Sequence, residues 1–313
     1  MRMRSSSEIP GLEQPETPDA SGAYPRLSDE HIMLLSRFGT TTDVPPGGLI
    51  FCEGDSECDF FVVLEGTVAV IQENDTEPRL IAVHGPKRFL GDMSLLIGQN
   101  AYLTAVARED VKLLDVPIEG LMDAVADDPT LGDLILRAFM IRRSLHSGIG
   151  AGLRIIGSRY SADSRRIRDF VSRNRIPHRW VDLEEDPEAE ALLQRLKVPP
   201  EMTPVVIWKG QAVLRNPSNA ELAKLLGLRT VPSAGAHDLV VVGAGPAGLA
   251  AAVYGASEGL STIVLDSVAT GGQAATSSRI ENYLGFPAGI SGAELADRAV
   301  VQARRFGATF TVP

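Results

Sequence analysis

Three glycines, Gly243, Gly245 and Gly248, carry the clearest chemical signal in this chain, because their spacing suits the binding of a phosphate group. They follow an apolar run and precede an alanine-rich stretch, which together predict a buried strand, a tight turn and the start of a helix. The first glycine permits the turn, the second lets the backbone approach a pyrophosphate, and the third lets helix and strand pack closely. A second predicted strand, 261–266, ends in Asp266, about 20 residues on, where an acid would hold a ribose hydroxyl. The pattern predicts dinucleotide binding, and a purely structural glycine turn is the alternative.

The composition of the chain restricts its class of function. The 313 residues predict two or three domains, and 44% hydrophobic with 22% charged residues is ordinary for a globular protein. The net charge of −10 argues against general affinity for nucleic acid or membrane, and no apolar run approaches the length of a bilayer span. The N-terminus lacks the apolar core of a secretory signal, so a cytoplasmic location is expected. The two cysteines, Cys52 and Cys58, lack a metal-ligand spacing, and no metal site is expected.

The elements that precede the glycines fall into further domains. Residues 1–25 are polar and are expected to be disordered, and 26–147 is predicted to be the first domain. In it, short strands with turn residues between them predict a β-roll barrel with flanking helices. The predicted strands are 49–52, 60–64, 67–72, 80–83, 104–107 and 111–116. Helices are predicted at 118–126 and 129–145.

Two segments of this domain resemble the cyclic-nucleotide-binding domain family: Leu-Ile-Phe-Cys-Glu-Gly-Asp at 49–55 and Phe-Leu-Gly-Asp-Met-Ser-Leu-Leu at 89–96. The second is similar to the family's phosphate-binding cassette, beginning at Gly91. The resemblance implies a ribose-binding Glu where this chain has Asp92, a phosphate-binding Arg where it has Ala101, and a small hydroxyl residue where it has Tyr102. A buried phosphate without its Arg lacks charge compensation, so no cyclic nucleotide is expected to bind at physiological concentrations. The domain is then a sensory or docking module.

After a flexible linker, 148–152, residues 153–229 read as β-α-β-α-β-β-α and resemble a thioredoxin or glutaredoxin fold. The resemblance implies a Cys-x-x-Cys motif after the first strand, where this chain has Ser158 and Ser161. Serine cannot form a disulfide, so this domain is expected to be redox-inactive. The resemblance also implies a cis peptide bond before Pro204.

A second linker, 230–236, precedes the last domain, 237–313, which reads as part of a Rossmann-type βαβ fold. Its glycine turn, the Gly-Gly-Gln at 271–273 and the Arg-Ile-Glu-Asn-Tyr-Leu-Gly-Phe-Pro at 279–287 resemble the bacterial, low-molecular-weight thioredoxin reductase family. The resemblance implies FAD as cofactor, with its pyrophosphate contacted by Gly243, Gly245, Pro246, Ala247 and Gly248. It implies that Asp266 contacts the adenosine ribose. Gly272, Gln273 and Asn282 would face the flavin end.

The family's catalytic Cys-x-x-Cys lies in an NADPH domain that this sequence does not contain, so no catalytic residue is identified, and the chain is expected to be cut within its FAD domain. The whole layout is multidomain, α+β and α/β. It implies an enzyme that moves electrons from NADPH through FAD to a disulfide, as in thioredoxin, regulated by its first domain and homodimeric when complete. The alternative is a non-catalytic regulatory or binding protein whose domains have lost their chemical residues. A DNA-binding regulator is disfavoured by the acidic charge and by the absence of a helix-turn-helix pattern.

Overall fold

The computed structural model describes residues 13–19, 21–55, 58–73, 78–146, 152–195, 197–208, 212–228, 230–231 and 235–311. The chain divides into two compact units, Met1–Ala151 and Gly152–Pro313. The first unit ends within the predicted linker 148–152, most of which lies outside the described residues, as do residues 1–12 and part of the linker 230–236. No helix among the described residues is long and apolar enough to cross a bilayer.

The first unit is built from two antiparallel sheets, with strand orders β1-β7-β3 and β2-β6-β4-β5. Its strands are β1 Thr40–Val44, β2 Leu49–Phe51, β3 Phe60–Glu65, β4 Val68–Gln72, β5 Arg79–His84, β6 Thr104–Ala107 and β7 Val111–Val116. Its helices are α1 Asp29–Leu35, α2 Met93–Ile97, α3 Ile118–Asp127 and α4 Pro129–His146. Buried aliphatic side chains from both sheets, Val63 and Leu113 of one and Val68 and Ala105 of the other among them, form one core. The β-roll is confirmed, but its described strands form two sheets and do not close into a barrel.

The N-terminal segment differs from the predicted disorder wherever it is described. Thr17 exchanges hydrogen bonds with Val83 of β5, its N–H donating to the Val83 carbonyl at 3.0 Å and its hydroxyl accepting from the Val83 N–H at 2.8 Å. Ala23 and Tyr24 are buried in the core. Polar composition misleads here because two buried residues, Ala23 and Tyr24, together with the backbone pairing of Thr17, are enough to anchor the segment.

One carboxyl group makes the first unit sensitive to pH. Asp115 lies on β7, opposite Thr40 and Phe61 of the neighbouring strands. Burial, with the nearby carboxyl of Asp59, raises the pKa of Asp115 to about 6. An unfolded aspartate titrates near pH 4, so the folded state disfavours the ionised form, and stability is lost as the pH rises through about 6.

We expect Asp115→Asn to remove this loss. At about pH 8 the variant should be more stable than the natural protein by about 1 kcal/mol, less than the whole pKa shift implies because the carboxyl is partly solvated, and at about pH 4 the two should differ little. Denaturant unfolding across this pH range measures the effect. Asp110→Asn, at an exposed position just before β7, is the matched control and should leave the profile unchanged. An Asp115→Asn profile with the natural slope would contradict the assignment.

The second unit contains two sheets. The first has the order β11-β10-β8-β9, in which β8 and β9 are parallel and β10 is antiparallel to both β8 and β11. Its elements are β8 Leu153–Gly157, α5 Ala162–Arg173, β9 Arg179–Asp182, α6 Pro187–Arg195, β10 Val205–Trp208, β11 Ala212–Arg215 and α7 Asn219–Leu225. The predicted order β-α-β-α-β-β-α is confirmed, and the Thr203-Pro204 peptide bond is cis.

The second sheet of this unit is parallel, with the order β12-β13-β14. Its elements are β12 Leu239–Val242, α8 Pro246–Ser257, β13 Thr262–Leu265, α9 Gly292–Arg305 and β14 Thr309–Thr311, with a 3₁₀ turn at Gly272–Thr276. The βαβ order predicted around the glycines is confirmed. The two sheets belong to one compact unit, although the sequence suggests two domains separated by a linker.

Candidate cofactor and ligand sites

The glycine turn after β12 has the geometry of a phosphate cradle. Gly243 has φ +100°, a conformation that L side chains rarely adopt, and its N–H donates to the Leu265 carbonyl at 2.7 Å. A Cβ on Gly248 would lie 1.9 Å from the Gly243 carbonyl oxygen, so only glycine allows α8 to pack this closely on the turn. A Cβ on Gly243 or Gly245 would instead meet nothing within 4 Å. Two of the three glycines therefore face open space, which leaves room for a ligand.

The first turn of α8 supplies the donors that this open space requires. Gly245 is the N-cap residue and no side chain caps the helix. Pro246 follows, and its ring nitrogen has no proton to donate. The amides of Ala247 and Gly248 are among those that have no acceptor within a helix, and the positive end of the helix dipole lies beside them. This arrangement fits a pyrophosphate.

Asp266 lies at the end of β13, as predicted, and binds the backbone on both sides of it. One carboxylate oxygen accepts from the Ala244 N–H at 2.8 Å, and the other accepts from the N–H groups of Val268 at 2.9 Å and Ala269 at 3.1 Å. Asp266 therefore joins the glycine turn to the loop that follows β13. An ionised carboxylate has about four acceptor positions, so one remains for a ribose hydroxyl.

The Gly-Gly-Gln segment packs directly on the glycine turn. The Gly271 N–H donates to the Ala244 carbonyl at 2.7 Å, and a Cβ on Gly272 would lie 2.9 Å from the Gly245 Cα. Gln273 follows in the 3₁₀ turn and is exposed. Asn282 is also exposed, in a loop that an Ile280–Ile290 bridge closes. The structure thus brings the glycines and Asp266 together, and it places Gln273 and Asn282 on the surface beyond them.

The cassette of the first unit is folded without a ligand-binding arginine. Asp92, predicted at the ribose position, caps α2, and its carboxylate accepts from the Ser94 N–H at 2.7 Å. Ala101 exchanges backbone hydrogen bonds with Gly54 and Asp55. The Tyr102 hydroxyl donates to the Gln99 side chain at 2.6 Å. All three cassette positions therefore hold the loop together.

Beside the cassette lies a small cavity of about 40 Å³. At about 10–15 Å³ for each water molecule it has room for a few waters, which is far less than a cyclic nucleotide needs. Its lining includes Tyr24, His84, Asp92, Tyr102 and Arg142.

Arg142 of α4 is a residue that the sequence analysis did not single out. Its guanidinium is buried and donates to three backbone carbonyls, those of Ala23 at 2.7 Å, Gly91 at 2.7 Å and Phe89 at 3.1 Å. It also lies over the ring of Phe89, 4.7 Å from the centroid. Burial lowers the pKa of Arg142 to about 10, so the group stays charged at neutral pH. A single arginine on an otherwise apolar helix face is the only sequence signal that could have revealed it.

Ser158 and Ser161, the positions at which a Cys-x-x-Cys motif was expected from the resemblance, have structural roles. Ser161 caps α5, accepting from the Ser164 N–H at 3.3 Å. The Ser158 hydroxyl bonds to the carboxylate of Glu184, which the sequence analysis did not identify. A Cβ on Gly157 would lie 3.1 Å from the Pro204 Cβ, so Pro204 packs against the end of β8. Both cysteines of the chain, Cys52 and Cys58, are free and lie in the first unit.

Comparisons with known proteins match the segments in which these residues lie. Residues 41–128 match the family model of the cyclic nucleotide-binding domain, and residues 238–294 match that of the FAD binding domain. The FAD match agrees with the open glycine cradle, and FAD is the cofactor that these residues fit.

Three individual proteins illustrate the similarity. The chain is 45% identical over 83 residues to the bifunctional thioredoxin reductase/thioredoxin of Mycobacterium leprae (strain TN), which is 26% of this chain and 18% of that protein. It is 42% identical over 74 residues to the thioredoxin reductase of Bacillus subtilis (strain 168), which is 24% of this chain and 23% of that protein. Among solved structures, the catabolite activator protein of Thermus thermophilus has 27% identity and a TM-score of 0.35, covering 41% of this chain and 60% of that chain.

The chain spans only about a fifth of the length of the curated relatives it matches. Within those limits, it joins a cyclic nucleotide-binding domain to an FAD-binding segment that is similar to that of thioredoxin reductases.

Proposed function

We propose that the chain belongs to a flavoprotein oxidoreductase in which NADPH supplies electrons through FAD to a disulfide acceptor such as thioredoxin. The observation that carries the proposal is the open glycine cradle of Gly243 and Gly245, beside an uncapped helix N-terminus. The similarity to thioredoxin reductases supports the choice of electron donor and acceptor. When bound, FAD would supply the hydride-transfer chemistry.

The residues of this chain would position the cofactor. The amides of Ala247 and Gly248 bind the pyrophosphate charge, and Asp266 retains one acceptor position for the ribose. Gly272 packs on Gly245, and because it has no side chain it leaves space for the ligand at this point. Gln273 and Asn282, on the exposed segments that follow, are proposed to contact the flavin end.

We further propose that the first unit regulates or docks the reductase without binding a cyclic nucleotide. The supporting observations are the cavity of about 40 Å³ and the use of Asp92 as a helix cap. We place the protein in the cytoplasm, which its free cysteines support, and we propose that the complete enzyme is a homodimer.

A second candidate function, a non-catalytic binding protein, is favoured by one observation. Ser158 and Ser161, where the resemblance to thioredoxin-fold proteins would place redox cysteines, serve as a hydrogen-bond donor and a helix cap. In this case the second unit would bind FAD or a related dinucleotide as a structural group, and no electrons would pass.

A reductive titration of the protein purified from its own cells distinguishes these two functions. The expected result is one FAD per chain, loss of the oxidised-flavin absorbance on anaerobic addition of NADPH, and its return on addition of oxidised thioredoxin. NADH in place of NADPH is the control for donor specificity. Bound FAD that neither NADPH nor NADH reduces would support the non-catalytic protein and contradict the reductase, whereas protein that binds no FAD would contradict both the cofactor and the reductase.

A further inference from the structure

The end of helix α5 contacts the FAD-binding segment through a buried ion pair. The Arg175 guanidinium lies 2.6 Å from the Asp297 carboxylate of α9, and the two side chains are only 8% and 5% exposed. Arg175 also donates to the Ala293 carbonyl at 3.2 Å and to the Thr270 hydroxyl at 3.4 Å. A buried pair with such additional hydrogen bonds is costly to break from one side, because the remaining charge stays buried.

Arg175 has a left-handed backbone conformation. The residue follows α5 with φ +61°, in the left-handed region where a helix end favours glycine or asparagine. The Ile176 N–H donates to the Val171 carbonyl at 2.8 Å, which is typical of such an ending. An arginine at this position accepts a conformational cost that glycine would avoid, and the contacts of its guanidinium offset part of that cost.

The preceding residue holds the same region. The Asn174 side-chain amide donates to the Val268 carbonyl at 2.8 Å and to the Phe170 carbonyl at 2.9 Å. The Val268 side chain packs against the apolar core of the β8–β11 sheet, a cluster that includes Phe170 and Ile176. Asn174 and Arg175 therefore hold residues 268–270, which we name the support loop, from one side.

The other side of the support loop is the FAD site. The N–H groups of Val268 and Ala269 are held by the Asp266 carboxylate, whose second oxygen binds the Ala244 N–H. Gly271, which follows the loop, donates to the Ala244 carbonyl. A displacement of the support loop would therefore move Asp266 and Gly271 relative to the glycine turn.

We propose that Arg175 and Asn174 are positioning residues for FAD, acting through the support loop. This rests on FAD binding at the glycine cradle. It assigns to the end of α5 the role of raising the affinity for the cofactor from outside the binding site. This end belongs to residues 152–228, which contain no cysteine. The role requires no redox chemistry of that segment.

The test compares Arg175→Met with Arg173→Met, which removes the longer, 3.6 Å ion pair to Asp169 on the same helix. In the whole chain, Arg175→Met is expected to weaken FAD binding by roughly 10- to 100-fold, measured by flavin fluorescence, and Arg173→Met should leave it unchanged. Adding Asp297→Asn to Arg175→Met should recover part of the loss, because no unpaired carboxylate remains. Asn174→Ala, which leaves the ion pair in place, should weaken binding by roughly tenfold.

Amide hydrogen exchange of the FAD-free protein provides a readout that does not depend on the cofactor. Exchange at residues 268–271 should accelerate in Arg175→Met and Asn174→Ala, while exchange in β8 stays as in the natural chain. Equal acceleration in β8 would mean that the pair only stabilises the unit, and the proposal would be wrong. Unchanged FAD affinity and unchanged exchange in both variants would also overturn it. A natural chain that binds no FAD would refute the proposed function. The hydrogen-exchange comparison would still test whether Arg175 and Asn174 hold the support loop, because it does not require FAD.

Discussion

Replacing Gly245 with alanine is expected to weaken FAD binding by at least roughly 100-fold, while the stability of the cofactor-free chain falls by no more than about 1 kcal/mol, the cost of alanine in place of glycine at a helix N-cap. The residue has φ −73° and ψ 178°, which alanine adopts without strain, and the new methyl group would meet no protein atom within 4 Å. It would occupy the space that the pyrophosphate needs in order to approach the backbone. A 100-fold loss corresponds to about 2.7 kcal/mol of binding free energy. Equilibrium titration with FAD and thermal unfolding of the cofactor-free chain measure the two quantities.

Gly248→Ala is the matched comparison, because the same methyl group meets a different environment. Its Cβ would lie 1.9 Å from the Gly243 carbonyl oxygen, so α8 must move away from the turn and the FAD-free chain should lose stability as well. If Gly245→Ala bound FAD with natural affinity, the cradle would not be the pyrophosphate site. If it destabilised the FAD-free chain as much as Gly248→Ala does, the position would serve packing instead of ligand access.

The second large effect is expected in the first unit, for Arg142→Ala. The substitution leaves the carbonyls of Ala23, Phe89 and Gly91 without the donor that now binds all three. At about 1–3 kcal/mol for each unsatisfied buried group, the loss is about 3 kcal/mol or more, even if water reaches some of them. For a unit of this size the melting temperature should fall by roughly 10 °C, which calorimetry of the whole chain measures.

Arg137→Ala tests whether the loss of stability comes from the buried contacts of Arg142. Arg137 lies on the same helix, but its ion pair with Asp133 is exposed, so its removal should cost less than 1 kcal/mol. Equal melting temperatures for the two variants would contradict the role given to Arg142. Faster hydrogen exchange at 89–92 in Arg142→Ala alone would show that the cassette itself depends on the guanidinium.

The positions of most strands could be predicted because each of these strands carries a local pattern. The strands 104–107 and 111–116 were predicted to the residue, since buried apolar side chains and flanking polar turns define them. Strand β1 was missed because Thr40-Thr41-Thr42-Asp43 is exposed along most of its length and shows no alternation. Its position depends on pairing with β7, which is a tertiary contact and leaves no signal in the segment itself.

In the candidate FAD site, too, the local features could be predicted and the tertiary contacts could not. The glycines are readable because each position imposes a local constraint, such as the φ of +100° at Gly243 or the close packing at Gly248. The backbone contacts of Asp266 were not foreseen, because the amides it binds lie in a turn and a loop whose positions depend on the whole fold. The ion pair of Arg175 with Asp297 joins elements far apart in the sequence, and neither residue belongs to a motif. Contacts of that kind could not be predicted from one sequence.

The location of the two cysteines decides how many electrons this chain can accept. Both thiols are in the first unit, and burial together with the charge of Asp55 and neighbouring acids raises the pKa of Cys58 to about 12, so its thiol resists conversion to the reactive thiolate. The glycine cradle and the support loop belong to a unit that contains no cysteine and therefore no disulfide that could accept electrons. In a reductive titration, the stoichiometry of uptake by the second unit is therefore that of the flavin alone, and its spectrum reports one redox couple without a thiol equilibrium superimposed on it.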